Sequence, residues 1–172
     1  MGVSGTGKTS VAQALARREG WPFMEGDSLH PAANVAKMHA GHPLTDADRA
    51  PWLKICHDWL AKEAEAGRGA ILTCSALKRK YRDQLAKDLP VQFIYLRVKP
   101  DIVAQRLNSR VGHFMPPSLL PSQFATLEEP DEDEPVIVAP GDKSLEEIVD
   151  YVVNYLDKHP MDPKTRQVEN RA

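Results

Sequence analysis

The sequence predicts a three-layer α/β fold, a parallel sheet flanked by helices. Two observations carry that expectation: short apolar runs of strand length alternate with helix-period segments, and a glycine-rich turn opens the first helix. Val11, Ala12, Leu15 and Ala16 share one stripe of a helix that runs from this turn to about Arg18, and Gly20 ends it. Residues 21–24 read as a short strand. A longer helix is expected from Pro51 to Ala66, with Trp52, Cys56, Trp59 and Leu60 on one face and Gly67 and Gly69 as stops. Residues 70–74 read as a buried strand and 91–98 as a stronger one. Pro100 opens the next helix, with Ile102, Val103 and Leu107 at helical spacing. Residues 135–139 form the last strand. Leu145, Ile148, Val149, Val152, Val153 and Leu156 then mark an amphipathic final helix.

Between Val111 and Pro135 no period emerges, and Pro116, Pro117, Pro121 and Pro130 punctuate the stretch. A long aperiodic segment inside a compact domain suits a functional lid, here expected at about 108–127. The acidic run from Glu128 to Glu134 reads as a solvated loop. One domain is expected over residues 1–157, followed by a polar, disordered tail from 158 to 172.

Composition narrows the functional classes. The 172 residues are 42% hydrophobic and 27% charged, with a formal net charge of −2. No broad basic field is available for nucleic acid or for an anionic membrane. Cys56 and Cys74 are too few for a disulfide framework, and no apolar run reaches the roughly 20 residues of a membrane span. A cytoplasmic location is the expectation. His39, His42 and His57 have no metal-ligand spacing with one another or with the cysteines.

Gly2-Val3-Ser4-Gly5-Thr6-Gly7-Lys8-Thr9 matches G-x-x-x-x-G-K-[S/T], the phosphate-binding loop. Its glycines let backbone N–H groups close around phosphate oxygens, and the following helix offers its positive end. Lys8 is suited to bridge the β- and γ-phosphates, and the Thr9 hydroxyl to ligate Mg²⁺. ATP and Mg²⁺ are therefore the expected cofactors, and an ATP-dependent small-molecule kinase on a P-loop kinase fold is the expected class. A buried strand normally precedes this loop, whereas only Met1 does so here. The first strand is thus expected to be missing from this chain, with roughly five to ten mostly apolar residues upstream in the natural product.

Phosphoryl transfer also needs a group to orient and deprotonate the acceptor. Glu25-Gly26-Asp27-Ser28-Leu29-His30-Pro31 follows the second expected strand of such a fold, where carboxylates face the ligand crevice. Arg106 and Arg110 are spaced i, i+4 and share one helix face at the entrance to the lid. Trp52 and Trp59 sit at core spacing and read as packing. Cys74, in a strand, reads as inert.

Three further segments carry a family resemblance. They are Gly26-Asp27-x-Leu29-His30-Pro31-x-x-Asn34 with Lys37-Met38 through Trp52-Leu53; Cys74-Ser75-Ala76-Leu77-Lys78-x-x-Tyr81-Arg82-Asp83; and Arg106-Leu107-x-x-Arg110-x-Gly112-His113-Phe114 with Leu120-x-Ser122-Gln123-Phe124. Together with the loop they closely resemble the gluconokinase family, in matching order from Gly2 to about Leu156. The family is similar in fold to shikimate kinase and the nucleoside monophosphate kinases. The resemblance implies ATP- and Mg²⁺-dependent formation of 6-phosphogluconate by a cytoplasmic homodimer. It implies that Asp27 contacts the acceptor hydroxyl and serves as its base. Glu25 stands where the family more often has Asp, and is implied near the metal through water. His30, Arg49, Lys78 and Arg82 become candidates to hold the sugar acid, and His113 a candidate to join them. A similar Arg pair in adenylate kinase-like enzymes implies adenine stacking for Arg106 and a phosphate contact for Arg110, as the lid closes over ATP.

Two alternatives stand beside this reading. A kinase for another hydroxylated acid such as shikimate has comparable chemistry. A non-catalytic nucleotide-binding protein would follow if the absent strand left the loop unsupported. A GTPase or motor ATPase fits poorly, because the strand at 71–73 ends in Cys74-Ser75-Ala76 without an Asp for the metal.

Overall fold

The computed structural model describes residues 1–109 and 117–160. Helix α1 (Lys8–Glu19) starts at the last residues of the glycine-rich loop and ends at Gly20, whose positive φ of 68° lets its N–H close back on Ala16. Strand β1 (Phe23–Glu25) leads into a 3₁₀ turn (Gly26–Leu29), helix α2 (Ala32–His39) and the 20-residue α3 (Asp46–Glu65). Strand β2 (Ile71–Thr73) precedes α4 (Arg79–Ala86), and β3 (Phe93–Arg97) precedes α5 (Pro100–Asn108). Helix α6 (Leu120–Thr126), β4 (Val136–Pro140) and α7 (Leu145–Lys158) complete the chain.

All strand pairs are parallel, as the alternation of strands and helices predicts. β1 pairs with β2 through Phe23–Ile71, Met24–Leu72 and Glu25–Thr73. β3 pairs with β4 from Phe93–Val136 to Arg97–Pro140. The helices form two layers. Val11 and Leu15 of α1 pack with Leu96, Ala139, and Ile148, Val149 and Val152 of α7. Trp52, Leu53 and Cys56 of α3 pack with Cys74, Ala76, and Tyr81 and Leu85 of α4. A third cluster joins Val3 of the loop to Leu77, Val98, Val103, Leu107 and Leu120, and so anchors the loop from beneath.

The two parallel pairs do not bond to each other directly. Met1 lies between them: its amino nitrogen donates to the Ile94 carbonyl, and its own carbonyl accepts the Leu96 N–H at 3.1 Å. The next residue turns to the other side, where the Gly2 N–H donates to the Ser75 carbonyl at 3.1 Å. Among the described residues the strand expected ahead of the loop is represented by Met1 alone. Behind it the facing edges of β2 and β3 leave a cleft of about 470 Å³, lined mainly by apolar groups such as Leu15, Leu72, Phe93, Ile94 and Leu96.

Several local expectations are corrected. Helix α3 starts at Asp46 and not at Pro51, because Thr45 and Asp48 form a reciprocal capping box that fixes the first turn five residues earlier. Helices α2 and α4 are each only eight residues long, too short to show a clear period, and α4 is polar along most of its length. In α4 the buried face contains Arg82 between Tyr81 and Leu85, which breaks the apolar stripe. The stretch expected to be aperiodic contains a 3₁₀ turn (Pro117–Leu119) and α6, with Leu119, Leu120 and Gln123 buried. Residues 110–116 of the expected lid, and the tail from 161, lie outside the described residues.

The acidic run is exposed at 128, 129 and 131–133, as a solvated loop would be, but it is also paired. Glu134 is paired with Arg82 at 2.5 Å with both side chains buried, Asp131 and Asp133 hold Arg79, and Glu129 holds Tyr95 and Arg97. Its charges balance the arginines of α4 and β3. Both cysteines are free and buried, and burial pushes the Cys74 thiol up to about 12, in keeping with the inert role expected of it.

Candidate active site

The loop closes on itself before it meets any ligand. Lys8 Nζ donates to the Val3 carbonyl at 2.9 Å, and the Thr6 hydroxyl donates to the same carbonyl at 3.1 Å. Gly5 has φ 83°, and a Cβ there would come within 2.9 Å of Leu107, so this position needs glycine on both counts. The Ser4 N–H donates to Oε1 of Gln123 at 2.7 Å. Gln123 is almost fully buried on α6, and its contact ties the segment after the lid to the front of the loop. Sequence reasoning quoted Gln123 in a motif but gave it no role, because only the tertiary fold sets it against Ser4.

Glu25 ends β1 beside the loop. One carboxylate oxygen accepts the Thr9 hydroxyl at 2.6 Å, and the other accepts the Thr73 hydroxyl at 2.5 Å. Thr73 stands at the end of β2, where a GTPase would have a metal-binding Asp; the carboxylate here comes from Glu25 on the neighbouring strand. An all-oxygen set of Thr9 hydroxyl and Glu25 carboxylate suits a hard ion such as Mg²⁺. Among the described residues no cluster of three His, Cys, Asp or Glu exists, so most ligands to a metal here would be phosphate oxygens and water.

Gly26 makes the strand end possible. A Cβ at this position would lie 1.9 Å from the Thr73 carbonyl oxygen, so only glycine lets β1 turn against β2. The turn projects Asp27 into the crevice at the carboxyl ends of the strands. Asp27 keeps 39% of its side-chain exposure, and His30 Nε2 lies 4.0 Å from Oδ1. His30 stacks on Trp52 with ring centroids 4.0 Å apart, and Trp52 Nε1 donates to the Gly26 carbonyl at 2.8 Å. Asn34 donates to His30 Nδ1 at 3.3 Å, which leaves the ring proton on Nε2, facing Asp27. Burial first, and then the Arg49 charge, lower the His30 pKa to about 4. The imidazole is therefore neutral near pH 7 and contributes a hydrogen-bond donor rather than a charge.

A small pocket gathers Lys8, Asp27, His30, Arg49, Ser75 and Gln123. The loop and Asp27 thus share one space, distinct from the large apolar cleft between the strand pairs. Arg106 is also brought to the loop: its guanidinium donates to the carbonyls of Thr6 at 3.3 Å and Gly141 at 3.0 Å. Arg110 and His113 lie outside the described residues. Lys78 is held by Asp46 at 3.1 Å and does not line the pocket.

Arg82 is not brought to the pocket. Its side chain is 1% exposed, forks onto both oxygens of Glu134 at 2.5 and 2.9 Å, and donates to the carbonyls of Ala76, Leu77 and Glu128. This saturates a planar donor fork inside the fold and leaves nothing for a substrate. Arg82→Met is expected to lower stability by about 3–5 kcal/mol, because it strands the buried Glu134 carboxylate. Chemical denaturation measures this, and a gluconate KM effect at unchanged stability would return Arg82 to the acceptor side.

A phosphate-binding loop and a carboxylate that meet at the carboxyl ends of parallel strands define the P-loop kinase fold. Residues 1–130 match the AAA domain family model. A gluconokinase from Gluconobacter oxydans (strain 621H) is 59% identical over 156 residues, covering 90% of this chain and 88% of that protein. The thermoresistant gluconokinase of Escherichia coli (strain K12) is 41% identical over 92% of this chain and 91% of its own. Among solved structures, an unliganded sugar kinase from Janibacter sp. HTCC2649 superposes with a TM-score of 0.88 at 45% identity, covering 93% of each chain. A gluconokinase from Sinorhizobium meliloti 1021 superposes at 0.81 with 43% identity, over 92% of this chain and 89% of that one. The chain belongs to the gluconokinase family.

Proposed function

We propose that this protein transfers the γ-phosphoryl group of ATP to a hydroxyl of D-gluconate, giving 6-phospho-D-gluconate. The observation that carries the reading is the convergence of Lys8, Asp27 and Arg49 on one pocket, in a chain of this family. Asp27 accepts the proton of the attacking hydroxyl, and the Nε2–H of His30 orients the carboxylate or a substrate hydroxyl. Lys8 follows the charge that develops on the transferring group. Arg49 takes the substrate carboxylate, since its fork can bind both oxygens. Lys78 adds positive charge. Arg106 secures the nucleotide beside the loop, and Arg110 and His113 join as the lid closes. Catalysis here is positioning plus electrostatics, as phosphoryl transfer requires.

Thr9, and Glu25 through water, would hold a Mg²⁺ ion, which would supply positive charge to offset that of the phosphates. No helix of the described residues is long and apolar enough to cross a membrane. A cytoplasmic homodimer feeding the pentose phosphate pathway is the setting that the family likeness supports.

The test is ADP release under saturating ATP and Mg²⁺ with gluconate, shikimate and related sugar acids. Gluconate is expected to turn over fastest. Equal or better turnover of shikimate would replace the proposed acceptor, and no turnover with any acid would favour a nucleotide-binding protein without catalysis.

A further inference from the structure

We propose that Tyr81 and Asp46 form a relay that positions Arg49 for the substrate carboxylate, an inference that rests on the acceptor reading of Arg49 given above. The Tyr81 hydroxyl donates its single proton to Asp46 Oδ1, so its oxygen is left to accept, and Arg49 Nη1 donates to it at 3.2 Å. The ring of Tyr81 is buried between α3 and α4, 3% exposed, and cannot follow a wandering side chain. It offers the guanidinium a second hold, since Arg49 Cζ lies 5.4 Å from the ring centroid.

Asp46 supplies the charge that makes this arrangement stable. Arg49, Lys78 and Lys80 all lie within 6 Å of the same ring, and three cations so close would repel one another. Asp46 accepts Lys78 Nζ at 3.1 Å and also holds Lys80 Nζ. The donors Lys80, Tyr81 and Lys78, in that order, hold its carboxyl well below the usual carboxylate range. Asp46 is at the first turn of α3, set by the Thr45 cap, and Arg49 follows three residues later on the same helix. The cap therefore fixes the anion, the hydroxyl and the guanidinium in one frame.

The physical benefit is preorganisation. A free arginine side chain loses about 2 kcal/mol of rotamer freedom when it is fixed, and here that freedom is already lost before substrate arrives. Neither Tyr81 nor Asp46 lines the acceptor pocket, whereas Arg49 does. Both act through Arg49 and are positioning residues.

The experiment is a double-mutant cycle on the full chain, reading the KM for gluconate, the KM for ATP, kcat and the melting temperature. Tyr81→Phe keeps the ring and removes only the hydroxyl. It is expected to raise the gluconate KM about 5- to 10-fold, with the ATP KM and kcat within about twofold. Arg49→Ala is expected to raise the gluconate KM more, and adding Tyr81→Phe to it should change nothing further. Asp46→Asn, at a half-exposed side chain, should reproduce the Tyr81→Phe pattern if that variant melts too early to assay. A gluconate KM unmoved by Tyr81→Phe and Asp46→Asn, with Arg49→Ala still impaired, overturns the relay alone. Additive effects in the double variant overturn it as well. An Arg49→Ala variant with normal gluconate KM sinks the acceptor reading beneath it.

Discussion

Asp27→Asn is expected to lower kcat by about 10³-fold while moving the KM for ATP by less than about threefold. Asparagine keeps the shape and one acceptor oxygen but removes the base. The Asp27 side chain keeps 39% exposure, and His30 Nε2 lies 4.0 Å from it. The fold should therefore tolerate the change, which thermal melting of the variant verifies. Steady-state kinetics with ATP and gluconate varied in turn separate the possibilities. A large rise in ATP KM at preserved kcat would move Asp27 to the nucleotide side.

Lys8→Ala is expected to abolish turnover, a loss of at least about 10³-fold, through two coupled failures. The first is chemical, since no other side chain in the pocket brings a mobile primary ammonium to the loop. The second is conformational. Lys8 Nζ spans the loop to the Val3 carbonyl at 2.9 Å, and Val3 is 2% exposed within the cluster that anchors the loop to α5 and α6. Removing the ammonium loosens the cradle as well as its charge. Calorimetric titration with ATP should show weakened binding alongside the lost ADP release. Lys8→Arg is not expected to rescue, because a planar fork cannot replace a compact rotatable ammonium in so tight a loop. Near-normal turnover by Lys8→Ala would refute the assignment of the loop.

These expectations rest on features of different legibility. The strands were readable because each is a short apolar run between turn residues, and the parallel pairing followed from their alternation with helices. The phosphate loop was readable because its chemistry fixes residue types at fixed spacing: the Gly5 position tolerates no Cβ, and Lys8 must reach back over it. Arg82 misled because an arginine in a motif looks the same whether it meets a substrate or a buried Glu134 52 residues away. The pairing of the run from Glu128 to Glu134 was not legible for the same reason, since its partners on α4 and β3 are remote in sequence.

By itself the sequence determined the α/β alternation, the ATP-binding loop and the family, and it singled out Asp27 as the candidate base. These are local patterns, set by hydrophobic periodicity and by the residue types that phosphate chemistry demands. Only the tertiary structure decided which charges are free to act. It buried Arg82 against Glu134, locked Gln123 onto Ser4, joined Glu25 to Thr9 and Thr73, and set Arg49 on Tyr81. Each of these contacts joins residues 16 or more positions apart. The energy of a charge depends on its partner and its burial, and both are set by the packing of distant elements.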